Sequence, residues 1–206
     1  MFGFFAPFAI EPRMAVAQAS QSPWPWLLWA LLSWWAWLVT PFWPQGVVLA
    51  GLLAFLTVVD IKTQFLPDLL VLPGIALGLV LAPSFGLDLG DAALGACAGA
   101  LFFAFVYMLV WRLLGKEGLG LGDVKFMALA GAWLGWNMLP TMVVLASLAA
   151  IAGMVVTRVL GRAKGSALPY GPFLACGVWV AWLHGPVLWA QWLTWRADLV
   201  QQLVGR

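Results

Sequence analysis

Two short segments of this chain place a lysine two residues after an aspartate: Asp60-Ile61-Lys62 and Asp123-Val124-Lys125. Only eight acidic residues occur in 206, and both of these aspartates fall at the edge of an apolar stretch. An ionisable group at a membrane is costly, so its presence there points to function. Two carboxylates that meet can share one proton, because like charges on the order of 3 Å apart do not both ionise. Such a pair can hydrolyse a peptide bond. The ionised member takes a proton from water, and the protonated member polarises the scissile carbonyl. The pair titrates as a unit and requires neither metal nor cofactor.

The residues around the two aspartates have competing readings. Gly118, Gly120 and Gly122 alternate before Asp123. Glycine leaves the backbone mobile and unhindered, so an extended substrate strand could lie against this ladder. A dinucleotide fingerprint does not fit, since position 123 is Asp and no βαβ unit surrounds it. Asp123 also suits the cap of the following helix, a role compatible with catalysis. Asp60 ends an apolar span, where the helix dipole disfavours a carboxylate. Lys62 and Lys125 read either as membrane-edge anchors or as local positive potential that keeps one carboxylate ionised. Asp68 follows Pro67 and precedes an apolar run, which predicts a helix N-cap.

The elements that must position these residues are membrane helices. Hydrophobic residues make up 64% of the chain and charged residues 9%, against roughly 45–50% and about 25% in soluble domains. The composition predicts an all-α, polytopic bundle whose solvent is the lipid bilayer. The 15 tryptophans agree, because indole favours the membrane–water interface. A net charge of +2 with no basic run argues against a nucleic-acid partner. Cys97 and Cys176 are isolated within apolar spans and read as small core residues, with no C-x-x-C pair to hold zinc. His184, the single histidine, reads as packed or interfacial.

Seven spans are expected, at about 24–43, 46–60, 69–83, 92–114, 124–136, 138–160 and 172–192. Residues 1–23 read as an interfacial or linker segment, with 14–23 a polar linker, and 193–206 as an interfacial tail. The second and fifth spans are shorter than the roughly 20 residues a crossing needs. They carry Asp60 and Asp123, so both carboxylates are expected in a sheltered recess of the bundle. Alternating spans put Arg13, Lys62, Arg112, Lys116, Lys125, Arg158, Arg162 and Lys164 on one side, and Arg196 and Arg206 on the other. The positive-inside rule makes the first side cytoplasmic, with the N-terminus inside and the C-terminus outside. Both aspartates then share one depth at the cytoplasmic face. Gly74-x-x-x-Gly78, Gly95-x-x-x-Gly99 and Gly131-x-x-x-Gly135 read as close helix-packing sites.

Three segments carry a resemblance. Asp60-Ile-Lys-Thr-Gln-Phe-Leu-Pro-Asp68, followed by Leu-Leu-Val-Leu-Pro73-Gly, resembles the first signature of the type IV prepilin peptidase family. Lys116-Glu-Gly-Leu-Gly-Leu-Gly-Asp123-Val-Lys125 resembles the second, with its Gly-x-Gly-Asp motif. Ala167-Leu-Pro169-Tyr-Gly171-Pro172-Phe resembles the third landmark. The three occur in the family's order and cover roughly residues 45–185. The resemblance implies an intramembrane aspartic protease in a bacterial inner membrane, with its site facing the cytoplasm. Its substrates would be prepilins or the pseudopilins of secretion systems. It would cut off their short basic leader, after a glycine and before the apolar helix. Asp60 and Asp123 match the family's catalytic pair; Lys62, Pro67, Asp68, Gly118, Gly120, Gly122, Lys125, Pro169 and Gly171 would support or bind substrate. Many bacterial members also methylate the new N-terminus through a domain with two C-x-x-C pairs, which these residues lack, so peptidase activity without methyl transfer is expected.

Two other classes fit less well. A proton-coupled transporter would use the aspartates as a relay, but both lie near one edge and seven spans leave no even repeat. A structural subunit would tolerate Ala at both positions.

Overall fold

The computed structural model describes residues 12–114, 120–160, 169–185 and 201. Among them are eight helices and no strand. They are α1 (Pro12–Ser20), α2 (Pro23–Val39), α3 (Trp43–Thr63), α4 (Asp68–Leu81), α5 (Leu89–Leu114), α6 (Leu121–Leu134), α7 (Leu139–Val159) and α8 (171–185). The first six expected spans overlap α2 to α7 in order; of the seventh, 172–185 lies in α8, while 186–192, like the expected tail 193–206 apart from residue 201, lies outside the described residues. Among the described residues, four segments are long and apolar enough to cross a membrane: Trp43–Thr63, Asp68–Phe85, Leu89–Leu113 and Trp136–Val159.

Proline and glycine punctuate the bundle. Pro23 and Pro25 open α2, Pro44 opens α3 and Pro140 opens α7, each in the first helical turn where a missing N–H costs nothing. A 3-10 turn, Ala82–Phe85, ends at Gly86 with φ +82, and a second, Trp136–Met138, follows Gly135 with φ +71. Both glycines occupy left-handed conformations that a side chain would strain.

The core forms where small residues let backbones meet. On α5, Gly95 faces the backbone of α6 at Gly131 and Gly135, and Gly99 faces Met127. A Cβ at Gly99 would lie 2.5 Å from the Met127 carbonyl oxygen. Gly74 and Gly78 on α4 receive Leu52, Leu129 and the indole of Trp133. Trp133 is fully buried, and its Nε1–H donates to the Gly74 carbonyl at 2.9 Å. That bond satisfies a polar group that burial would otherwise penalise. The described glycines of all three small-x-x-x-small motifs therefore sit at helix crossings.

One segment departs from its sequence reading. Residues 14–20, read as part of a polar linker, lie in α1, Pro12–Ser20. Ala15 and Ala19, one turn apart, are buried against Val58 and Val59 of α3. Lys62 Nζ also donates to the Gln18 carbonyl at 3.4 Å. Alanine's strong helix propensity and its i, i+4 spacing suit such a packed helix.

Candidate active site

Asp60 lies one turn before the end of α3 and is only 6% exposed, the single buried charged residue among those described. The helix stops at Gln64, whose φ of 51 is left-handed and whose N–H closes on the Asp60 carbonyl at 2.8 Å. The chain then turns through 65–67 into α4. Leu66, in that turn, is buried and packs over the first turn of α6, so that a Cβ at Gly122 would meet it at 3.2 Å. This contact draws the ends of α3 and α6 together. Asp123 lies in the first turn of α6, at the same end of the bundle as Asp60. Its carboxylate reaches back to accept the Gly120 N–H at 3.4 Å, and the positive end of the α6 dipole favours it there. Asp60 has the opposite dipole environment. It is compensated by α8, whose first amide, Gly171 N–H, donates to Asp60 Oδ2 at 2.9 Å.

The remaining expected site residues fall at the same end of the bundle. Pro67 is buried and occupies the N-cap position of α4, so Asp68 is the first helical residue and not the cap expected from sequence. Its carboxylate instead accepts from Lys125 Nζ at 2.6 Å, tying α4 to α6. Lys125 therefore spends its charge on Asp68. Lys62, exposed in the last turn of α3, contacts α1. Gly120 is the N-cap of α6 at φ −77, and Gly122 is helical. The ladder is thus partly helix, and neither glycine adopts a conformation forbidden to other residues. Pro169 precedes α8 and is half-buried. Gly118, Lys116 and Glu117 lie outside the described residues. No group of three or more His, Cys, Asp or Glu suited to a metal is assembled among the described residues.

The opposite end of the bundle is marked by a cavity of about 400 Å³ lined by Thr40, Phe42, Phe85, Gly86, Leu87, Trp133, Asn137 and Trp182, among others. Helix ends that follow α2, α4 and α6 meet there, so the helices alternate in direction. The aspartates lie away from it.

The type IV leader peptidase family matches residues 47–155, just over half of the chain, and that stretch contains both aspartates and the Gly-x-Gly-Asp segment. This chain belongs to that family. Relatives named prepilin leader peptidase/N-methyltransferase support the assignment. The protein from Pseudomonas aeruginosa is 44% identical over 76% of this chain and 56% of its own length. The Stutzerimonas stutzeri protein is 43% identical over 73% of this chain and 54% of its own. The Escherichia coli K12 protein is 47% identical over 59% of this chain and 55% of its own. The chain thus spans about half the length of the curated relatives it matches. No solved structure matches.

Sequence reasoning missed two contributors to this site. Leu66 was passed over as one apolar residue among many. Phe65 and Leu66 are adjacent apolar residues in the turn, and only the packing shows that Leu66 is the buried one while Phe65 is exposed. Helix α1 was hidden by its short, mixed composition, though the Ala15–Ala19 spacing marked a face.

Proposed function

We infer that this chain is an intramembrane aspartic endopeptidase, which removes the short basic leader from type IV prepilins or pseudopilins at the cytoplasmic face of a bacterial inner membrane. The observation that carries the reading is that Asp60, buried at the end of α3, and Asp123, in the first turn of α6, lie at the same end of the bundle, where Leu66 packs against Gly122. Membership of the leader peptidase family supports it, as do the relatives' names.

The chemistry follows from the pair. With one proton shared between two carboxylates, the ionised member removes a proton from water as its oxygen attacks the scissile carbonyl. The protonated member donates to that carbonyl oxygen, giving a neutral gem-diol. Collapse of the diol breaks the C–N bond. One carboxyl protonates the departing amine, and the diol returns its proton to the other, which restores the shared proton. The substrate helix must unwind locally, because its peptide groups are otherwise hydrogen-bonded and shielded from water. The leader's positive charges stay outside the apolar bundle, which holds the cleavage point at the membrane edge.

The test is incubation of the purified protein with a prepilin precursor, read by intact mass. The expected product has lost its leader after a glycine. An uncut precursor would overturn the peptidase reading.

A further inference from the structure

We propose that Gly171 is a positioning residue for Asp60: its amide fixes one carboxylate oxygen, and its missing side chain makes room for the carboxylate. The inference rests on the peptidase reading above and deepens it.

Three observations converge. The Gly171 N–H donates to Asp60 Oδ2 at 2.9 Å, a bond spanning 111 residues of sequence, while the corresponding bond to Asp123 comes from its own helix turn and is longer, 3.4 Å. A Cβ on Gly171 would stand 2.6 Å from Oδ2, 2.7 Å from Cγ and 3.0 Å from Cβ of Asp60. Those distances are closer than nonbonded carbon contacts of about 3.5–4 Å allow. Gly171 is buried, so water does not replace the amide readily.

The need for such a device follows from the helices. Asp60 sits near the negative end of α3, where no backbone donor of its own helix is available. The first amides of α8 are unpaired within α8 and carry its positive end. Placing them against Asp60 supplies the missing donor and holds the carboxylate in one rotamer. Oδ2 is then committed to the amide. Oδ1 is left for the proton shared with Asp123 and for the attacking water. Among the described charged groups near this end, Asp68 pairs with Lys125, and Lys62 donates to the Gln18 carbonyl. The third landmark thereby acquires a mechanical role, in which α8 aims the carboxylate that α3 carries.

Steady-state cleavage of a prepilin precursor by the detergent-solubilised protein tests this. Gly171→Ala should lower kcat by about 100-fold, the effect of misplacing a reacting group by about 1 Å, while KM stays within about threefold. Gly177→Ala on the same helix serves as the comparison, because its Cβ would press at 2.7 Å on the Met142 carbonyl, remote from the aspartates. It should lower thermal stability and leave the kcat of folded protein near wild type. Where Gly171→Ala fails to fold, Gly171→glycolic acid keeps the shape and replaces only the N–H by an ester oxygen. It should cost about tenfold in kcat. Wild-type kcat in the folded Ala variant, or in the ester variant, would overturn the proposal. The peptidase reading would survive that result as long as Asp60→Asn remains inactive. If the wild-type protein does not cleave, the reading itself falls.

Discussion

At the scale of the residue, the two aspartates differ in what surrounds them, although the mechanism uses them as a unit. Asp60 is enclosed and borrows a donor from a distant helix, whereas Asp123 is partly accessible and held by its own N-terminal turn. A unit of this kind has a kinetic signature. Removing either member should cost nearly as much as removing both, because neither half-reaction proceeds alone. Asp60→Asn and Asp123→Asn should each reduce leader cleavage by at least about 100-fold, the usual contribution of a positioned acid or base. The double variant should fall little further. Folding should be unharmed, since Asn is nearly isosteric and removes a desolvated charge. Cleavage rates and thermal unfolding of the three variants check this. A single variant that keeps more than a few per cent of activity would remove that aspartate from the pair. By contrast, the Asp68–Lys125 bridge is about half exposed on both sides, and such pairs contribute at most about 1 kcal/mol. Its role is to tie two helix starts together.

At the scale of the element, α5 and α6 carry the strictest packing. Gly131 of α6 approaches the Gly95 carbonyl of α5 so closely that a methyl group has no space without moving one backbone. Gly131→Ala should therefore destabilise the protein by about 1–3 kcal/mol, the range for overpacking a tight core. It should also reduce cleavage, because α6 carries Asp123. Thermal unfolding alongside a cleavage assay reads both effects, and unchanged stability would contradict the close approach. Much of this element scale was legible in the sequence. Glycines four apart announced the crossings. What was illegible depended on partners far away in the chain. Asp68 looked like a cap because it follows Pro67, but the cap is Pro67 itself and the carboxylate goes to Lys125, 57 residues on. Lys125 looked available to Asp123 because it is two residues away, yet its charge goes across to α4. Residues 14–20 looked like linker because a helix that buries only two alanines leaves little hydrophobic pattern. In each case a tertiary contact, absent from any local window, decided the outcome.

At the scale of the whole molecule, charge and chemistry share one end. Lys62 and Arg112 lie in last helical turns, Arg158 near the end of α7, and Lys125 near the start of α6. With helices that alternate in direction, these four fall at the end that holds Asp60 and Asp123. The opposite end, around the 3-10 turn Ala82–Phe85 and the start of α5, has Asp88 and Asp91 and no described lysine or arginine. Basic residues resist translocation, so the aspartate end should face the cytoplasm. Two exposed positions separate the alternatives. Phe65, in the turn after α3, is 50% exposed at the aspartate end, and Leu89, the first residue of α5, is 53% exposed at the other. With Cys97 and Cys176 replaced by Ser, Leu89→Cys should react with a membrane-impermeant maleimide in cells whose outer barrier alone is opened. Phe65→Cys should react only after the inner membrane is permeabilised. The reverse pattern would put the aspartates on the outer face, where a leader retained in the cytoplasm could not reach them, and would exclude the proposed cleavage whatever the chemistry of the pair.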